Sequence, residues 1–468
     1  MKDKGESKMK KRYGKKLLSL QLATVMAASM LTACGGGQAA KETAADAGTT
    51  AAGAETAGGE EKVVLKWYAD TDEIANETLY KTQDIADEFM KQNPNVVIEI
   101  QPLVAATDTT NYLQKVDLML ASDEQIDIIY FSGGNQAYQK ILSDSIIPLN
   151  DLAAERGIDL ATEYTNSLAF GEDYYTLARE DSVYITFLNK QMLDEAGLPI
   201  PPLDWTWEDY YTYAKALTKG EGPDKVYGSY FHTWDTMYQM GYFPDTLFFK
   251  EDGSSNFDNP SFGDFLQLRY DMEQEGVSTP LAEIKSQGMA YREMFFNGKV
   301  AMMPQGTWLL GDLKDIDKYP HDFETTFASL PRLTKDQTPN ATIGSGGSGY
   351  AIAKSCKHPQ EAFDFIYFLT TWGADYNKSR ISAWAKSDAD AVAKAVMGED
   401  ESLYDFEAYK NVMDSIYQIQ LSQFPEYNTD VMQVFSEECE MGMTGAQTIE
   451  QTVANMVKRS NEIIDENK

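Results

Sequence analysis

Several groups of residues in this chain carry side chains with chemical potential. Two acidic pairs, Glu172-Asp173 and Glu180-Asp181, supply the carboxylates that glycoside hydrolysis needs. Adjacent residues usually point apart, however, and in so acidic a chain a solvated surface explains such pairs as well. His232, His321 and His358 lie far apart with no metal-ligand spacing, and no local signature assembles a Ser-His-Asp set around them. The aromatic residues are more informative. Tyr230, Phe231, Trp234 and Tyr238 cluster in one segment, and Trp308 stands alone after a Pro-Gln-Gly break. An aromatic ring offers a flat apolar face. A sugar ring offers a face of C–H groups and a rim of hydroxyls, which Asp, Asn, Gln and Arg can grip with charge-assisted hydrogen bonds.

The elements around Trp308 are legible. Tyr291, Met294 and Phe295 fall at helical spacing, and Asn297-Gly298 offers a left-handed residue to end the helix. Val300 to Met303 predicts a strand buried on both faces. Pro304-Gln305-Gly306 breaks it, and Thr307 can cap a second helix starting at Trp308. Trp308 therefore sits where a buried strand ends and a helix begins, the edge at which α/β sheets bind ligands. Position alone also allows a core tryptophan under a loop.

Upstream, strands at Val63–Tyr68, Val96–Ile100 and Ile126–Phe131 alternate with helices whose inner faces carry Leu79, Ala86, Phe89 and Met90, then Tyr112, Leu113, Val116, Met119 and Leu120. A short helix follows from Gln136 to Leu142. This order predicts a parallel sheet covered by helices on both faces. Right-handed crossovers bring the C-terminal ends of the strands to one edge. Tyr68, Asp70 and Asp72 thus face the same opening as Phe131, Gly134 and Asn135. Farther on, Asn189 to Ala196 is a helix stopped by Gly197, Thr206 and Asp209 form a capping box, and Asn259-Pro260 opens another helix. The run from Gly344 to Gly349 holds four glycines in six residues. It precedes a strand and lacks a following Lys-Ser/Thr pair, so it reads as a hinge rather than a phosphate cradle.

The N-terminus has its own logic. Six basic residues between Lys8 and Lys16 precede an apolar run from Leu17 to Met30, shorter than a comfortable membrane span, and Leu31-Thr32-Ala33-Cys34 follows. This resembles the bacterial lipoprotein box, which implies cleavage after residue 33, acylation of Cys34 and anchoring at the outer face of the cell membrane. Residues 34–61 are mostly Gly, Ala, Thr and Glu, with almost no large apolar residue, a flexible tether. Residues 1–33 hold eight Lys/Arg and two Asp/Glu, leaving 32 basic against 71 acidic residues and a formal charge of −39. Such a surface repels nucleic acid and anionic lipid, so the lipid must do the anchoring. With eight arginines in the whole chain, a neutral ligand suits this surface better than a polyanion, although Arg179 leaves an anionic one open. Cys356 and Cys439 read as two free buried thiols.

The run from Phe296 to Trp308, the segment Asn189 to Gly197 with Trp205-Thr206-Trp207, and Gly349 to Leu369 resemble the bacterial extracellular solute-binding proteins of family 1. These are the sugar-binding lipoproteins of ABC importers, including maltose-binding protein. The resemblance implies an α/β fold of two lobes, like other periplasmic binding proteins, each a mostly parallel sheet flanked by helices. Three crossings join them near residues 179–182, 344–349 and 381–385. Lobe 1 then comprises 62–180 plus 350–382, and lobe 2 comprises 181–349 plus 383–468. The resemblance makes Trp308 a sugar-stacking residue and Phe131 an aromatic of the first lobe. It places Asp70 and Asp72 near an acidic ligand position, Asp181 near another at the crossing, and Tyr427 near a second aromatic platform. Tyr68, Gln305 and Trp234 complete the expected ligand-binding set. Gly134-Asn135 stand where the family carries a charged pair, which argues against a malto-oligosaccharide. The implied partners are a neutral mono- or oligosaccharide and ABC permease subunits, with no cofactor, metal or catalytic residue. A secreted glycoside hydrolase and a lipoprotein signalling to a sensor kinase are the alternatives.

Overall fold

The computed structural model describes residues 62–69, 74, 77–103, 109–122, 124–166, 169–241, 247–344, 348–419 and 425–467. The lipoprotein segment with Cys34, the tether, Asp70, Asp72 and residues 345–347 of the Gly-rich run lie outside these.

The first sheet is built from β1 (Val63–Ala69), β2 (Val96–Pro102), β3 (Ile128–Phe131), β4 (Leu177–Ala178) and a strand from much later, Gly349–Ile352. That late strand lies between β3 and β4, while β1 lies between β2 and β3. Helices α1 (Thr82–Gln92), α2 (Thr109–Leu120) and α3 (Gly134–Leu142) connect or follow the first three strands. The predicted helix around Ala86 is interrupted at Lys81, which takes a left-handed conformation between Glu77–Tyr80 and α1. Alternation along the strands fills two layers. Leu65, Trp67, Ile128 and Tyr130 pack with Phe89, Phe363 and Phe365. Tyr68, Ile129 and Phe131 pack with Tyr112, Val116 and Ala137.

The second sheet contains β5 (Tyr184–Asn189), β6 (Tyr227–Ser229), β7 (Val300–Gly306) and β8 (Thr325–Ala328), in the order β8-β5-β7-β6. Strand β7 is buried throughout and runs on through the predicted break, Pro304 to Gly306, three residues past its predicted end at Met303. Its neighbours β5 and β6 hold it on both sides, with Pro304 opposite Thr186. Alternation again serves two layers, Met302 and Leu188 on one face and Met303 and Phe187 on the other. Helices α4 (Trp207–Leu217) and α5 (Pro260–Gln274) begin as their caps dictate. Thr206 and Asp209 close a reciprocal capping box, and the Asn259 side chain accepts from the Ser261 amide.

A parallel ribbon of β9 (Ala341–Ile343) and β11 (Tyr417–Ile419) flanks the place where the chain returns to the first sheet as β10 (Gly349–Ile352). Helix α6 (Pro359–Phe368) covers that sheet, and α7 (Phe406–Met413), α8 (Asn428–Met443) and α9 (Ile449–Asn467) complete the chain. The expectation of mostly parallel sheets holds for β1, β2 and β3. Strand β10 runs antiparallel to both β3 and β4. In the second sheet β5 is antiparallel to β7 and to β8, and β6 is parallel to β7. The reason is the path: strands that enter a sheet from a crossing run against those that leave it. Both cysteines among the described residues are free, Cys439 buried and Cys356 half-buried.

Candidate functional site: an aromatic wall beside three chain crossings

Strand β7 ends at Gly306, and a 3-10 turn, Thr307–Asp312, carries Trp308 away from it. The Trp308 ring lies over Gly306, where an added Cβ would come within 2.0 Å of the ring. Tyr184 from the start of β5 meets the ring edge-on at 5.2 Å, and Trp234 does so at 5.7 Å. The indole nitrogen donates to the Tyr291 hydroxyl at 3.3 Å. His232 packs against Trp234 at 3.8 Å and edge-on to Tyr291 at 5.3 Å. Trp308 and Trp234 are half-buried, whereas Tyr184 and Tyr291 are buried. Edge-on neighbours hold the Trp308 indole upright, while His232 lies against one face of Trp234 and leaves the other face of that ring as its apolar surface.

The wall is uncharged near neutral pH. Burial, and then the Arg292 guanidinium, depress His232 to about 4. Burial pushes the Tyr291 phenol up to about 12. Arg292 stacks over Tyr291 at 4.6 Å and pairs with Asp312 at 2.6 Å. The charges nearest the aromatic rings are thus internally matched.

Beside this wall the chain leaves the first sheet after β4 to form β5, returns to it from β9 as β10, and after α6 leaves again through residues 378–388 to pack Val392 and Val396 in the second sheet's core. The passes are tied together. Asp181 donates its backbone N–H to the Ile381 carbonyl at 2.9 Å, and Glu180 bridges Ser382. The Val183 amide donates to Thr307 Oγ1 at 3.2 Å, so Thr307 anchors the first crossing rather than capping a helix. Arg380 joins several elements: it pairs with Glu180 at 3.0 Å and donates to the Tyr80 hydroxyl at 3.1 Å and the Trp308 carbonyl at 3.4 Å. Behind the third crossing, the buried Glu163 carboxylate accepts from Tyr367 Oη at 2.7 Å, Trp384 Nε1 at 2.8 Å and Lys386 Nζ at 2.9 Å.

The structure sorts the residues expected from sequence. Trp308 and Trp234, 74 positions apart in sequence, share the wall. Tyr68 and Phe131 do not reach it. Strand alternation turns both into the α2 layer, where Phe131 is fully buried and the Tyr68 hydroxyl donates to the Gln125 carbonyl at 3.1 Å. Tyr427 is half-buried and tied to the loop before α5. Its hydroxyl donates to the Gly253 carbonyl at 3.0 Å and its ring meets Phe249 edge-on. Gln305 is buried, its Oε1 accepting from the next amide, that of Gly306, at 3.1 Å, while its Nε2 has no hydrogen-bond partner among the described residues. Asp181 accepts from Thr165 Oγ1 at 2.7 Å. Burial pushes its carboxyl up, with Thr165 and the Gln418 amide opposing that shift. Asn135 Oδ1 accepts from the Asn428 amide at 3.2 Å. Of the other aromatic candidates, Tyr230, Phe231 and Tyr238 are core. Tyr184, His232, Tyr291 and Arg380 join the site with no sequence pattern that marks them as ligand-binding. Only Tyr291 had a local signal, the helical face that precedes β7. Among the described residues no cluster of three or more His, Cys, Asp or Glu could hold a metal.

Two α/β sheets joined by three crossings, with an aromatic wall beside them, define a two-lobed ligand-binding protein. This chain belongs to the bacterial extracellular solute-binding protein family, whose pattern matches residues 74–375. Membership makes it a binding protein rather than a hydrolase and places it on the outward face of the cell. It is similar to the arabinooligosaccharide-binding protein of Halalkalibacterium halodurans, 26% identical over 69% of this chain and 72% of that one. The multiple sugar-binding protein of Streptococcus mutans is 24% identical over 67% of this chain and 72% of its own length. In three dimensions the chain resembles an ABC substrate-binding protein of Listeria monocytogenes solved with cycloalternan. The TM-score is 0.69 at 18% identity, over 86% of this chain and 99% of that one.

Proposed function

We propose that this protein captures a neutral mono- or oligosaccharide between two lobes and delivers it to the permease subunits of an ABC importer. The lobes are 62–180 plus 350–382 and 181–349 plus 383–468. The observation that carries this reading is the Trp308–Trp234 pair in an uncharged wall beside the crossings. Half-buried indoles supply apolar faces for sugar C–H groups, and the matching of Arg292 with Asp312 and of Arg380 with Glu180 favours a neutral ligand over an anion. The sugar-binding names of the two relatives support the same class. Asp70, Asp72 and Asp181 are the proposed hydroxyl-gripping carboxylates of this cleft.

The test is a panel of neutral pentose and hexose oligosaccharides, followed by thermal melting and by chromatography of the glycan. A binder at about 100 times its Kd adds roughly 2.7 kcal/mol to folding stability and raises the melting temperature. The expected result is such a rise with the glycan intact. Cleaved glycan, or a panel of which no member raises the melting temperature, defeats the proposal.

The second part of the proposal is the anchor: the Leu31-Thr32-Ala33-Cys34 sequence directs acylation of Cys34. Among the described residues no helix is long and apolar enough to cross a membrane, and a diacylglyceryl group with a further chain suffices for stable attachment. Cys34→Ser is expected to abolish incorporation of labelled fatty acid and release the protein from the membrane fraction. Label in the mutant, or none in the native protein, contradicts the anchor.

A further inference from the structure

Two helices with separate cores touch. Helix α3 buries Ala137 against the first sheet, and α8 buries Val431, Phe435 and Cys439 in the second sheet's core. On α3, Asn135, Tyr138 and Gln139 fall at i, i+3 and i+4, which puts them on one face. That face meets the start of α8. The Asn428 amide donates to Asn135 Oδ1 at 3.2 Å, and Gln139 Nε2 donates to Thr429 Oγ1 at 3.3 Å. The Tyr138 phenol is raised by burial and then by the Glu426 carboxylate, so that charge also lies against α3. The α8 side is held by its own core: the Tyr427 hydroxyl bonds the Gly253 carbonyl, and Asn428 is buried. Each partner is thus anchored in its own core.

We infer that the α3 face bearing Asn135 and Gln139 and the first turn of α8 form a latch that holds the two lobes together without ligand. The inference rests on the two-lobed reading above but not on the identity of the sugar. Asn135 and Asn428 thereby act on closure, since Asn135 Oδ1 already accepts a hydrogen bond across the gap. A latch scales every ligand's affinity alike, because apparent affinity depends on the fraction of protein in the competent state. A residue touching the ligand instead changes the ranking of ligands.

The experiment uses the mature-length protein with Gln139→Ala and Asn428→Ala combined, and Thr429→Val with Gln139→Ala as a second variant should the first melt early. Small-angle scattering without ligand is expected to give a larger radius of gyration for the variant than for the native protein. Affinities for three sugars that bind the native protein are expected to fall by a common factor, about fivefold to thirtyfold for two lost hydrogen bonds. An unchanged radius of gyration, unchanged affinity, or losses that differ several-fold between sugars overturns the latch. Should no sugar on the panel bind, scattering decides by itself, which keeps failure of the latch distinct from failure of the sugar assignment.

Discussion

Trp308→Ala is expected to weaken sugar binding by roughly thirtyfold, about 2 kcal/mol, while the protein remains folded. The ring is half-buried, lies over Gly306 and is met edge-on by Tyr184 and Trp234. Truncation removes an apolar face from the wall and leaves the hydroxyl-gripping groups in place. A fully buried indole would behave otherwise, since its loss costs about 3–5 kcal/mol of folding stability. Gly306→Ala is the companion test. Its backbone conformation, φ −77°, accepts alanine, but the new Cβ would lie 2.0 Å from the Trp308 ring. The ring must move, so affinity is expected to fall although every aromatic residue is present. Calorimetric titration and thermal melting on both variants decide the matter. A Trp308→Ala protein that melts far below the native one yet binds sugar normally while folded would make the ring core and remove the basis of the binding proposal.

Glu163→Ala is expected to cost about 3 kcal/mol of stability, because the carboxylate is buried and serves three donors at once. Its removal strands the Trp384 indole N–H and the Tyr367 hydroxyl where the third crossing meets the first sheet. Lys386 contributes less. Its side chain is 63% exposed, and solvent screens an ion pair at such a site. Lys386→Ala should therefore change stability by about 0.5 kcal/mol or less. The pH dependence has a definite sign. Burial alone would raise the Glu163 carboxyl, but hydrogen bonds from Lys386, Tyr367 and Trp384 outweigh it and hold the carboxyl below its ordinary value. A carboxyl lowered in the folded state stabilises fully above its unfolded pKa, about 4.3, and that contribution drains away as pH falls through the folded value. Urea unfolding of the native protein should lose this increment below about pH 4, and Glu163→Gln should show a shallower acid limb. Equal acid limbs in the two proteins, or an Ala variant within about 0.5 kcal/mol of native, would show that the cluster holds nothing.

Much of the scaffold was legible because its determinants are local. The capping box at Thr206 and Asp209, the Asn189 cap with its Gly197 stop, and the left-handed Gly298 before β7 each act over three or four residues. The alternation of strands and helices and the covered parallel sheet at the start of the chain follow from the spacing of a few apolar positions. The signal was weaker wherever a neighbour from elsewhere stabilises a locally poor choice. Strand β7 runs through Pro304 because β5 and β6 flank it, and the helix near Tyr80 breaks at Lys81 without glycine or proline to mark the place.

The amino-acid sequence by itself determined the alternating strands and helices and the place of Trp308 at the end of a buried strand, since periodicity, caps and breakers are properties of adjacent residues, and its motifs carry the family resemblance that implies two lobes around a ligand. Only the tertiary structure decided which aromatic and polar residues stand beside Trp308. Tyr68 and Phe131 look like cleft residues at the C-terminal ends of their strands, yet the packing of α2 over that face buries them. Tyr427 and Asn135 look free until Gly253 and Asn428 occupy their polar atoms. Trp234 and Tyr291 join Trp308 from 74 and 17 residues away. Exposure and hydrogen-bond occupancy are set by whatever segment packs against a side chain, and at such separations no local pattern encodes that partner.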